Sequence, residues 1–292
     1  MARVSGGTNP GARVPYAVMR SWFAALFLLL PLVSPALAED APSLPPEAAG
    51  VPPLLFDALS AVARDYDRWA YTETLTVIDS RGVPKVDTVV RFDPSKPYGE
   101  QYQPLKVNGQ PPTERQLKAY RRRGEKRGER LEQEAAEGRV PGTVRSRFKF
   151  SGGTASIDLA QAKVVAETPD SVTFDVPLRR DGWATIPVEK FQLLARVNRR
   201  TRAFENVTLR LLESFRLMLI VKVKSGDATI EFGTVDPKHA PTVVAMTGDA
   251  AASMLFKTMD AQFDLKHTDF KRVKPYSERF GVKIGPLKAL DF

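Results

Sequence analysis

The chain has 292 residues, 43 basic against 34 acidic side chains, and no cysteine. Without a thiol there is no disulfide to staple the fold and no cysteine-borne lipid anchor, so the fold must rest on its own core. That length can hold one large β domain or two small ones with ample surface to bury.

The first 38 residues read as a secretion signal. Arg3, Arg13 and Arg20 are the only charged residues there, and the apolar run Trp22 to Val33 follows them. The run leads to Ala36-Leu37-Ala38, the small-x-small pattern cut by signal peptidases, so cleavage is expected after Ala38. A membrane anchor is the alternative, but 12 residues fall short of the roughly 20 needed to cross a bilayer core. The lead-in is long for such a signal, and translation could start at Met1 or at Met19. Cleavage would leave 254 residues with 40 basic and 34 acidic side chains, a net charge of +6. Such a balance on an exported domain points to anionic lipid or polysaccharide rather than nucleic acid. The expected compartment is the periplasm.

Residues 39–53 are rich in Pro and Ala and read as an extended leader. A helix is expected from Leu54 to Asp67, because Leu55, Leu59, Val62 and Tyr66 share one face. The period then changes to two. Trp69, Tyr71, Glu73, Leu75 and Val77 fall on one side of a strand, and Ser80-Arg81-Gly82 marks a turn. Val86, Thr88, Val90 and Phe92 form the returning face. A third strand, 101–107, closes on the turn pair Asn108-Gly109.

The segment 112–138 differs in kind. Thr113 and Gln116 form a capping-box pattern that opens a basic helix. Between Lys118 and Arg130, the seven basic residues Lys118, Arg121, Arg122, Arg123, Lys126, Arg127 and Arg130 stand against only Glu125 and Glu129. With few apolar residues, and Gly124 and Gly128 expected to break or loosen it, the helix reads as a solvated arm lying on the domain rather than a core element. Its cations fit docking to an anionic membrane surface or an acidic partner; charge pairs along a solvated helix are the plainer reading.

Beyond residue 156 strand and turn signals alternate, over 163–168, 171–178, 191–198, 203–212, 216–224, 228–233, 241–247 and 254–266. Short connections imply antiparallel neighbours. With the earlier three this makes about eleven strands, enough for a sheet to curl. The expected fold is mainly β: a strongly curved antiparallel sheet, an open half-barrel, with an N-terminal helix and one inserted basic helix, all within a single domain 54–292.

No catalytic signature is present, and no enzyme is expected. His239 sits in a turn and His267 is placed after the last long strand, each without a partner at metal-ligand spacing, so neither metal nor cofactor is expected. Ser151-Gly152-Gly153-Thr154 lacks the lysine of a phosphate loop. Strands such as 216–224, with Leu217, Leu219, Val221 and Val223 on one side and Met218 and Ile220 on the other, carry apolar residues on both faces. A large core and a partly open apolar cavity both account for that.

The order of features resembles the outer-membrane lipoprotein-sorting family, that of the LolA and LolB carriers and the RseB sensor domain. The resemblance is carried by the N-terminal helix, Trp69-Ala70-Tyr71, Arg91-Phe92-Asp93-Pro94, the run from Leu105 to Thr113, and Asp269-Phe270-Lys271-Arg272-Val273. It implies an unclosed barrel whose cavity holds acyl chains; the long basic arm departs from the pattern. Expected cavity liners are Trp69, Tyr71, Leu75, Phe92, Leu193 and Leu219. The expected role is a monomeric, non-catalytic carrier or sensor of a lipid or lipidated protein. The alternative is a regulatory module whose groove takes a peptide or membrane-protein segment.

Overall fold

A computed structural model describes residues 50–136, 157–179, 187–217, 221–254 and 257–278. The segment 1–38 with its Ala38 site, the leader up to residue 49, and Leu219 lie outside the described residues.

Helix α1 spans Pro53–Asp65 and is followed by a 3-10 turn, Tyr66–Arg68. Strands β1 (Trp69–Asp79), β2 (Pro84–Phe92) and β3 (Tyr102–Val107) precede helix α2 (Glu114–Ala136). Strands β4 (Lys163–Glu167), β5 (Ser171–Asp175), β6 (Phe191–Asn198) and β7 (Ala203–Leu211) follow, then β8 (Phe215–Leu217), β9 (Val221–Gly233), β10 (Thr242–Met254) and β11 (Lys257–Arg272). They form one antiparallel sheet in the order β3-β2-β1-β11-β10-β9-β7-β6-β5-β4, with β8 added on β9. The chain's first strand pairs with its last, Leu75 facing Leu265. The terminal strands β3 and β4 do not pair with each other, so the sheet is open rather than a closed barrel. Register shifts along β1, β2, β4, β6, β9 and β10 are bulges of the kind that bend a sheet.

Three differences from the sequence reading have physical causes. The segments 216–224 and 228–233 are not two strands joined at Ser225-Gly226. Strand β9 runs straight through that pair, with Ser225 opposite Ala251 and Gly226 opposite Ala250. Ser-Gly permits a turn without requiring one, and pairing with β10 across both residues, with β7 joining from Asp227 onward, decides for strand. Likewise β10 and β11 are longer than 241–247 and 254–266, because Ala250, Ala251 and Ala252 are held in register by both neighbours despite poor β propensity. Third, Gly124 and Gly128 do not break α2, which is continuous across both.

The core has three parts on one face of the sheet. Leu55, Ala58 and Leu59 of α1 pack on Val172, Phe174, Leu193, Ala195, Val197, Phe204 and Leu209 of β5, β6 and β7. In the middle strands Val77, Ala228, Met246, Phe263 and Leu265 make a second cluster. Trp69, Tyr71 and Phe92 form a third, joined by Tyr102, Val235 and Phe270. The other face is polar, as Thr72, Thr74 and Thr76 of β1 foretell.

Helix α2 begins as expected: the Thr113 backbone N–H donates to Gln116 Oε1 at 2.8 Å, and the Gln116 N–H points back to Thr113 Oγ1 at 3.4 Å. It is exposed along most of its length and lies on the domain. Its packing is against β3 and the 3-10 turn Tyr98–Glu100. A methyl group placed on Gly124 would lie 1.9 Å from the Tyr98 carbonyl oxygen, and one on Gly128 would lie 2.3 Å from the Tyr98 ring. These glycines, one turn apart, are where the helix meets the turn.

Candidate functional site

Because residues directly opposite on neighbouring strands share a face, the register defines rows across the inner side of the sheet. One row reads Thr88, Leu75, Leu265, Met246, Ile230, Val207, Ala195, Phe174 and Val164, over nine strands from β2 to β4. Every member but the first is apolar. The next row toward the β10–β11 end reads Val86, Val77, Phe263, Gly248, Ala228, Leu209 and Leu193. Below it Ala261, Ala250 and Gly226 are opposite one another. A methyl group on Gly226 would meet only ordinary contacts at 3.7 Å or more. The inner face therefore has a continuous apolar surface with a floor of small side chains at its β10–β11 end.

The opposite end is aromatic and polar. Tyr102, Phe92 and Tyr71 face one another across β3, β2 and β1, with ring centroids 4.9 and 5.2 Å apart. Helix α2 lays two guanidinium groups on this ladder: Arg123 sits 4.3 Å from the Tyr102 centroid and Arg127 5.5 Å from that of Phe92. Four residues on a helix advance about 6 Å and adjacent strands lie about 4.8 Å apart, so successive helical turns meet successive strands. Arg127 is also buried: Nη2 donates to Asp67 Oδ1 at 2.6 Å and Nη1 to Gln101 Oε1 at 2.8 Å. The Asp67 side chain is only 2% exposed. Arg272 repeats the motif, 5.0 Å from the Trp69 centroid and paired with Asp65 of α1 at 2.6 Å.

Beneath this ladder lies a pair of titratable groups that the sequence reading treated as unrelated. His267 lies within β11, not beyond it, directly opposite Glu73 of β1. Its ring stacks on Tyr71 at 4.0 Å, and Nδ1 donates to the Val243 carbonyl at 3.0 Å. Nε2 lies 3.6 Å from Glu73 Oε2, and the imidazole is 10% exposed. Burial pushes the Glu73 carboxyl up, but the hydrogen bond from His267 and the Arg123 charge outweigh it and hold the group below its ordinary value of 4.5. A depressed folded value means this contribution to stability is complete above pH 4.5 and is lost as acid titrates the folded carboxylate. Glu73→Gln should accordingly flatten the acid limb of the stability–pH curve relative to wild type, measured by urea unfolding at several pH values. Two further polar atoms here, Trp69 Nε1 and Arg272 Nη1, are buried without a hydrogen-bond partner among the described residues, whereas His267 Nε2 is turned toward the Glu73 carboxylate.

The expected liners are thus divided. Trp69, Tyr71 and Phe92 gather at the aromatic end, Leu75 borders the middle cluster, and Leu193 lies in the cluster under α1. The expected docking residues divide too. Lys118, Arg121, Arg122 and Lys126 are exposed, Arg123 reaches the ladder, Arg130 is half-buried, and Arg127 is sequestered with Asp67. Sequence reasoning missed Glu73, His267, Asp67 and Gln101. The one available signal was that Glu73 interrupts an otherwise apolar strand face. An open depression of about 510 Å³ on the outer face has a mixed lining, Thr76, Thr247, Asp249, Gln262 and Asp264 together with Ile78, Gly248 and Phe263.

No family model, curated protein or solved structure matches the chain.

Proposed function

We propose that this chain is an exported carrier or sensor of the lipoprotein-sorting type, which holds the acyl chain of a lipid or lipidated protein against the inner face of its sheet without catalysing a reaction. The observation that carries this reading is the apolar row running unbroken from Leu75 to Val164, with the small-residue floor of Gly226, Ala250 and Ala261 beside it. The two described helices pack toward opposite ends of that face, α1 on β6 and β7 and α2 on β3. A chain lying between them needs no catalytic group. Ten buried methylenes would contribute about 8 kcal/mol before the costs of association. Export is supported by the pattern of residues 1–38 alone, and the family assignment by the resemblance together with the open sheet.

The aromatic end suits the polar part of such a ligand. Trp69 Nε1 and Arg272 Nη1 have no hydrogen-bond partner among the described residues, and a carbonyl or phosphate oxygen entering there would meet them. The same atoms also suit the backbone of a bound peptide, which favours the regulatory module as the second reading. Incubation with phospholipid vesicles, followed by native mass spectrometry, separates the two. Transfer of one phospholipid per chain supports the carrier. Failure to extract lipid, with capture of a stoichiometric peptide instead, supports the module.

A further inference from the structure

The two edges of the sheet are defended unequally. At β3 the edge carries Pro104, which cannot donate to a new strand, and α2 packs alongside. At the other end, among the described residues, β4 pairs with β5 alone. All five of its residues, Lys163-Val164-Val165-Ala166-Glu167, are exposed, with Val164 at 48% and Val165 at 52%. A strand edge of unpaired backbone groups with bare apolar side chains is a template for another strand.

The sequence of this edge says which strand it fits. Charge and polarity read the same from both ends once the sign is reversed: a cation, three apolar residues, an anion. If two copies pair antiparallel about a twofold axis at Val165, Lys163 of each faces Glu167 of the other, Val164 faces Ala166, and Val165 faces Val165. Parallel pairing in register would instead set lysine beside lysine and glutamate beside glutamate. The bulge between Val164 and Ala166 twists the strand without removing these partners. We propose that β4 is a self-association edge, through which a second copy of this chain joins to make one continuous sheet across a twofold axis. This replaces the monomer expected from the sequence, and it stands independently of any ligand on the inner face. The paired area is small, so the dimer should be weak and concentration-dependent.

Sedimentation velocity of the purified chain from micromolar to submillimolar concentration tests this. Wild type should shift from monomer to dimer. Lys163→Glu and Glu167→Lys should each weaken the dimer by about tenfold, because two symmetry-related attractions become repulsions. The double swap Lys163→Glu/Glu167→Lys restores the complementarity and should restore the dimer. Both side chains are exposed, so circular dichroism should show all variants folded. A wild type that stays monomeric throughout would overturn the proposal, the edge then being free or taken by another segment of the chain. A dimer indifferent to both single changes would overturn it too, by placing the contact elsewhere.

Discussion

Truncation of Arg127 to alanine is expected to lower the free energy of unfolding by about 3–5 kcal/mol. The cost arises from what is left behind. Asp67 is almost wholly enclosed, and losing the guanidinium takes from its buried carboxylate the ion pair it makes at 2.6 Å. Gln101 loses a partner as well, although its amide still donates to the Lys96 carbonyl at 3.0 Å. The informative comparison is with Arg122→Ala, an exposed member of the same basic run, which should change stability by no more than about 0.5 kcal/mol. Replacing both partners with apolar residues, Asp67→Leu with Arg127→Met, should recover much of the loss, since a buried ion pair is costly to break and cheap to substitute. Urea denaturation of the four proteins gives the result. An Arg127→Ala protein as stable as wild type would mean that the Arg127–Asp67 pair does not anchor α2.

Gly124→Ala should also destabilise, by about 1–3 kcal/mol. The sign matters more than the size. In an exposed helix the same change stabilises by up to about 1 kcal/mol, because alanine loses less backbone entropy than glycine. Here the added methyl would sit 1.9 Å from the Tyr98 carbonyl oxygen, a backbone atom that cannot swing aside. Gly128→Ala meets the Tyr98 ring instead, which can rotate, so its cost should be smaller. Thermal melts of the two variants beside wild type would show the order. Gly124→Ala melting above wild type would contradict the packing.

These two variants bear on why the helix was legible and its role was not. The capping pair Thr113 and Gln116, and the run of good helix formers after them, specify a helix start by local chemistry. Which face it buries is normally read from leucines and valines at helical spacing. The side of α2 that meets the domain carries Gly124 and Gly128, both buried, half-buried Arg127, and an Arg123 that is exposed while reaching the Tyr102 ring; these residue types score as solvent-loving or helix-breaking, so the contact was not legible. The physics is arginine on aromatic rings and glycine against backbone, both invisible without the partner strands.

The sheet shows the same division. Alternation in β1 and β2 placed Trp69, Tyr71, Leu75 and Val77 on one face, as found; the turn at Ser80 to Gly82 joins β1 to β2, and Asn108-Gly109 turns the chain at the end of β3, where Val107 and Gln110 form an isolated bridge. Strand ends failed where the local signal was weak. Ser225-Gly226 and the alanines of β10 are permissive residues whose state is decided by neighbours far away in sequence. The Glu73–His267 pair could not be anticipated for a related reason. Its members are 194 positions apart, and only the pairing of the first strand with the last brings them opposite one another.

The inner face is tested most directly by filling it. Ala250→Phe would place a ring over the floor formed with Gly226 and Ala261, and Ala261→Leu would do so more mildly. Native mass spectrometry after incubation with phospholipid vesicles should show one lipid bound per wild-type chain. Ala250→Phe should carry little or none, and Ala261→Leu an intermediate amount, with circular dichroism confirming that each is folded. A wild type that emerges ligand-free, or an Ala250→Phe protein that loads as fully as wild type, would place the acyl chain somewhere other than this face.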